Sequence, residues 1–125
     1  MQVLLDTHVF LWLVSGSRRL NRQAKAIIEG SERVLISSAT IWEIAIKVQL
    51  GKLTADVDEV INQIQANGFG ELPIYARHAR QVARLPRHHV DPFDRLLIAQ
   101  AISETIKLLT SDFQLKPYSE LVECI

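Results

Sequence analysis

The chain has 125 residues, 48% hydrophobic and 22% charged, which suits one domain with a sizeable core and excludes a disordered or fibrous protein. Lysine plus arginine match aspartate plus glutamate at 14 each, so bulk charge does not mark a nucleic-acid partner. The lone Cys124 cannot form an internal disulfide and fits a reducing compartment. The N-terminus has no basic region, and Val9–Val14 is too short to span a bilayer, so a cytoplasmic, unanchored protein is expected.

Val3-Leu4-Leu5 reads as a short buried strand, ended by Asp6-Thr7. Val9–Val14 follows as a helix, then the Ser15-Gly16-Ser17 turn, and Asn21–Glu29 is a second helix stopped by Gly30. Arg33–Ser37 is a second strand, after which Ser38 or Thr40 can cap a helix over about 40–50. That helix is apolar almost all round (Ile41, Trp42, Ile44, Ala45, Ile46, Val48) and is expected to be central and buried. Val57–Ala66 is amphipathic and closes at Asn67-Gly68; Glu71–Ile74 is a third strand and Tyr75–Leu85 a helix stopped by Pro86. Asp91-Pro92 opens a helix to about Glu104, Lys107–Thr110 is a fourth strand, and Leu121–Cys124 is a fifth at the edge.

Strands separated by helices imply an α/β domain, with a central, mostly parallel sheet of four to five strands covered on both faces. Right-handed crossovers then bring four acids to one place. Asp6 ends the first strand and Asp112 follows the fourth, while Glu43 and Asp94 lie in first turns of helices that start at the same carboxyl edge. Open α/β sheets hold their sites there. Four carboxylates held close together raise one another's pKa, and a hard divalent cation relieves that repulsion.

Each acid also has a local structural explanation. Asp6 can cap the helix that begins at Thr7, and Glu43 stands four residues before Lys47 in the favourable order for an ion pair. Asp91 before Pro92 is a strong cap, Asp94 then gains from the helix dipole, and Asp112 can cap a short turn. Against these, Glu43 lies between Trp42 and Ile44 on a helix with almost no polar face. A zinc site at His88-His89 with Asp91 lacks a second ligand pair at proper spacing. His8 can line the acidic site or simply be half-exposed. No nucleophile elbow and no phosphate-binding glycine loop is present. Arg77, Arg80, Arg84 and Arg87 cluster without an intervening acid; Arg18, Arg19, Arg22 and Lys25 form a second basic group. Solvated helix faces explain both groups, and phosphate contacts do so if either borders the acids.

Leu4-Leu5-Asp6-Thr7-His8, the Ser37…Trp42-Glu43-Ile44 segment, the run Asp91-Pro92-Phe93-Asp94-Arg95 through Ala101, and Leu109-Thr110-Ser111-Asp112 occur in that order. Their order and spacing resemble the PIN-domain family, specifically the small VapC-like toxins of bacterial toxin–antitoxin pairs, over essentially the whole chain. The resemblance implies a ribonuclease dependent on Mg²⁺ or Mn²⁺ that leaves 5′-phosphate and 3′-hydroxyl ends. Asp6, Glu43, Asp94 and Asp112 match the family's acidic quartet, and Thr7 and Thr110 match hydroxyl positions that support it. Arg95 joins Arg77, Arg80, Arg84 and Arg87 as a candidate contact to RNA. A homodimer and a cognate antitoxin, seated on hydrophobic grooves between the early helices, are implied as partners. Asp91 is an additional acid, placed as a cap or an outer ligand. Phe113, Gln114 and Leu115 stand where some relatives carry a further acid.

The expected reaction is hydrolysis of an RNA phosphodiester, with Asp6, Asp94 and Asp112 holding the metal and Glu43 as ligand or water-positioning base. Two alternatives compete. A phosphatase-like or receiver-like domain would phosphorylate Asp6, but His8 stands where such phosphatases need a second Asp. A non-catalytic PIN-like scaffold would bind only a partner; such modules usually lose members of the quartet.

Overall fold

The computed structural model describes residues 1–87 and 91–125. In chain order they form β1 (Gln2–Leu5), α1 (Thr7–Ser15), α2 (Arg22–Gly30), β2 (Arg33–Ser37), α3 (Ser38–Gln49), α4 (Val57–Ala66), β3 (Gly70–Leu72), α5 (Ala76–Ala83), α6 (Pro92–Glu104), β4 (Lys107–Thr110), a 3₁₀ helix (Phe113–Tyr118) and β5 (Val122–Cys124). The strands make one sheet in the order β3-β2-β1-β4-β5, every pair parallel. Parallel neighbours need crossovers long enough to hold a helix, and these helices cover both faces.

Alternation along the strands sorts the core into two layers. Leu4, Leu35 and Leu108 face one layer, where Leu97, Ile98 and Ala101 of α6 pack with Leu115 and Tyr118. Val3, Leu5, Val34, Ile36 and Leu109 face the other, against Val9 and Phe10 of α1, Ala24 and Ile28 of α2, Ile44 of α3 and Val60 and Ile64 of α4. From β1 the chain winds to β2 and β3 on one side, then crosses to β4 and β5 on the other. The carboxyl ends of β1 and β4 therefore flank the point where winding reverses, the usual place for a site in such sheets.

Three expectations need correction. The third strand is shorter than Glu71–Ile74 because Pro73 has no N–H to offer the ladder. The cap of α3 is Ser37, whose hydroxyl accepts from the Ala39 N–H at 3.0 Å, rather than Ser38 or Thr40. That helix is not buried all round: Ala39, Thr40, Glu43 and Ile44 are, but Trp42 is 56% exposed and Leu50 62%. Its buried residues all lie between Ala39 and Ile44, and residues 45–48 are half-buried.

Candidate active site

The chain leaves β1 at Asp6, whose N–H bonds the Leu109 carbonyl at 3.0 Å and so ties it to β4. Its Oδ1 accepts from the Val9 N–H at 2.8 Å and caps α1, while Oδ2 accepts from the Thr110 hydroxyl. The same Thr110 oxygen accepts the Asp112 N–H at 3.0 Å, and Asp112 in turn caps the 3₁₀ helix through Gln114 N–H at 2.9 Å. One buried threonine thus joins two of the acids. Burial pushes the Asp6 carboxyl above the usual aspartate range; Thr110, the Val9 N–H and His8 oppose this, and the Glu43 charge adds to it. Burial likewise raises the Cys124 thiol, Lys116 opposes, and Asp112, Glu123 and Asp6 add to the rise.

Glu43, 5% exposed, projects from the first half of α3. Its Oε1 accepts from the Thr7 hydroxyl at 2.7 Å and its Oε2 from Lys47 Nζ at 2.8 Å. Thr7 is the residue after Asp6, so the two carboxylates meet across the start of α1. Asp94 lies in the first turn of α6, where its N–H and that of Phe93 donate to the Asp91 cap at 3.2 and 2.8 Å. The Phe93 ring meets Trp42 edge-on at 5.1 Å between centroids, which sets this end of α6 beside the turn of α3 that carries Glu43.

Every local reading of these acids is therefore realised: two caps at Asp6 and Asp112, a third at Asp91, and a Glu43–Lys47 ion pair. Asp6 and Asp112 cap because the helices that follow β1 and β4 begin at the carboxyl edge of the sheet, and of the four acids Asp6 and Glu43 are close enough for the charge of one to act on the other. Among the described residues, no group of three or more His, Cys, Asp or Glu side chains stands ready to hold a metal ion. Both Glu43 oxygens are turned to Thr7 and Lys47. In kind, however, the donors are carboxylates and hydroxyls, hard oxygen ligands suited to Mg²⁺ or Mn²⁺.

The arginines divide. Arg77 bonds Glu104 through Nε and Nη2 at 3.1 and 2.9 Å, at the opposite end of α6 from Asp94, about 15 Å along the axis. Arg95 lies at the Asp94 end, giving Nη1 to the Pro86 carbonyl and Tyr118 hydroxyl and Nη2 to the Val82 carbonyl. That bond from α6 to the end of α5 makes the two helices antiparallel, so exposed Arg84 and Arg87 emerge toward the Asp94 end, whereas exposed Arg80 is a turn further back. Exposed Arg18, Arg19, Arg22 and Lys25 lie past the far end of α1 and on α2. The His88-His89 pair lies outside the described residues.

Sequence reasoning passed over a buried polar chain behind the acids. Ser37, which caps α3, donates to Gln100 Oε1; Gln100 Nε2 reaches the Pro73 carbonyl at 3.2 Å and lies 3.3 Å from His78 Nδ1. Nδ1 also accepts the Tyr75 N–H at 3.0 Å, so the proton sits on Nε2, which donates to Glu104 at 3.0 Å. Ser37, His78 and Gln100 are each 0% exposed. The one available signal was a glutamine among Leu97, Ile98, Ala99 and Ala101, since a buried amide needs partners.

The model of the PIN domain family matches residues 3–121, and the chain belongs to that family. It is 28% identical over 119 residues to Ribonuclease VapC22 of Mycobacterium tuberculosis, covering 93% of this chain and 91% of that one. Its fold is similar to that of VapBC2 from Rickettsia felis bound to a promoter DNA fragment: TM-score 0.72, 15% identity, 99% and 98% of the two chains. A toxin–antitoxin complex from Klebsiella pneumoniae is similar at TM-score 0.69 and 20% identity, covering 97% and 95%. Among the described residues no helix is long and apolar enough to cross a membrane.

Proposed function

We propose that this protein is an Mg²⁺- or Mn²⁺-dependent endoribonuclease, the toxin of a toxin–antitoxin pair, working as one domain and as a homodimer. The observation that carries the reading is the pair of hydroxyl bridges, Thr110 to Asp6 and Thr7 to Glu43, which orient two buried carboxylates at the switch point of a parallel sheet. Similarity to a ribonuclease across nearly the full length of both chains supports the same chemistry.

In this reading Asp6, Asp94 and Asp112 would hold the cation, with Glu43 as a further ligand or as the group that orients water. Such an ion, when bound, would supply Lewis acidity toward a phosphoryl oxygen and toward water near neutral pH. Thr110 keeps Asp6 and the Asp112 backbone in register, and Thr7 steadies Glu43. Asp91 acts as a cap that holds the first turn of α6. Arg84 and Arg87 are the arginines best placed to meet phosphates flanking the cut.

A groove of about 450 Å³ is lined by His8, Leu11, Trp12, Val14, Lys47 and Leu53 among others, with none of the four acids in its wall. It suits an antitoxin segment with apolar anchors, and Lys47 belongs both to the groove and to the Glu43 ion pair. A partner seated there would reach Glu43 through Lys47.

The test compares wild type with Asp6→Asn on RNA, with Mn²⁺ and with a chelator, alongside calorimetric titration of Mn²⁺. Cleavage that needs both Mn²⁺ and Asp6, in a variant that remains folded, is the expected result. Equal cleavage by the variant would refute the assignment. Absence of both cleavage and Asp6-dependent Mn²⁺ binding would leave a non-catalytic scaffold.

A further inference from the structure

Three aromatic residues are sequence neighbours of the proposed ligands: Trp42 precedes Glu43, Phe93 precedes Asp94 and Phe113 follows Asp112. Trp42 and Phe113 are 56% and 71% exposed. Trp42 meets Phe93 edge-to-face at 5.1 Å between centroids, so its ring is open to solvent and braced by one neighbour. A rigid exposed ring is what a base needs to stack on, since little entropy is lost in ordering the platform.

We infer that Trp42, braced by Phe93, is a stacking platform for an unpaired RNA base beside the phosphate that is cut, with Phe113 serving a neighbouring base. The inference rests on the ribonuclease reading and adds a requirement of its own: the substrate must present free base faces at the site. Within an A-form duplex those faces are already stacked on their neighbours, whereas loops and single strands can splay them out. The occupant follows from the company the rings keep. Half-buried Asp94 and Asp112, the sequence neighbours of Phe93 and Phe113, disfavour a dry protein interface, whose centre is depleted of charge. Arg84 and Arg87, exposed and directed to the Asp94 end of α6, give the same rim a basic side for the backbone.

The protein holds two tryptophans, so Trp12→Phe leaves Trp42 as the sole emitter, and Asp6→Asn in the same chain halts turnover. This protein is titrated with a short single-stranded oligoribonucleotide, an abasic oligonucleotide of equal length and a duplex, reading tryptophan emission. Quenching and tight binding with the single strand alone are expected. Placed in the Asp6→Asn chain, Trp42→Ala is expected to weaken single-strand binding about tenfold, leave the abasic affinity unchanged, and be rescued in large part by Trp42→Tyr. Equal binding of base-bearing and abasic strands overturns the inference, as does an unaltered affinity in Trp42→Ala. Conversion of a dimer to monomers by Trp42→Ala also overturns it, assigning the ring to a second copy of the chain. If wild type cleaves RNA and Trp42→Ala cleaves it with the same KM, the platform falls and the ribonuclease stands. If wild type neither cleaves nor binds RNA, both fall.

Discussion

The link between Ser37 and Gln100 fastens the start of α3 to the middle of α6, and these helices carry Glu43 and Asp94. Gln100→Leu would leave the buried Ser37 hydroxyl without an acceptor; the Pro73 carbonyl, on an exposed residue, can return to water. One stranded buried donor costs about 2 kcal/mol. Ser37→Ala strands Gln100 Oε1 and also removes the α3 cap, for about 3 kcal/mol together. In the double variant both partners of the bond are gone, so the total falls short of the sum by about 1–2 kcal/mol. Urea unfolding of the four proteins gives this coupling, and Mn²⁺ calorimetry asks whether Gln100→Leu loosens the site without touching it. A coupling under about 0.3 kcal/mol, with Mn²⁺ affinity unchanged, would refute the claim that this bond positions the acids.

Lys47→Met leaves Glu43 buried with Thr7 as its one hydrogen-bond partner among the described residues, and is expected to lower stability by about 1 kcal/mol, a modest figure because the lysine is partly exposed. Since lysine and cation compete for one carboxylate, the Tm increase on adding Mn²⁺ should exceed that of wild type; an equal increase counts against Glu43 as a ligand. At the other end of α6, the His78 hydrogen bond holds the Glu104 carboxyl below the usual range; partial burial opposes this and Arg77 assists. A depressed folded pKa means that this stabilisation is present above the unfolded value near 4.5 and is lost as pH falls through the lower folded value. Glu104→Gln should therefore cost about 1 kcal/mol at neutral pH and flatten the acid limb of the stability curve, which denaturation between pH 3 and 7 would show. An unchanged acid limb would contradict the depressed pKa.

Much of the fold was readable because its signals are local. Gly30, Asn67-Gly68, Pro86 and Asp91-Pro92 punctuate the chain, and the apolar runs at β1, β2 and β4 mark strands buried on both faces. The burial of α3 was misjudged for a physical reason: helical periodicity tells which residues are apolar, not which neighbours arrive to cover them. The basic cluster shows the same limit, for Arg77 and Arg84 are close in sequence yet lie toward opposite ends of α6.

The amino-acid sequence by itself determined most of the points where strands end and helices begin, and hence that Asp6, Asp94 and Asp112 stand at such junctions; Glu43 was expected in the first turn of its helix and lies in the second, because α3 starts earlier, at Ser38. Local rules of capping and connection suffice for that. Tertiary structure alone decided which groups face one another: Thr110 across to Asp6, Thr7 to Glu43, and Gln100 to Ser37, sixty-three residues away. Such pairs depend on strand register and helix packing, which satisfy buried polar groups from distant parts of the chain, and no local pattern encodes them.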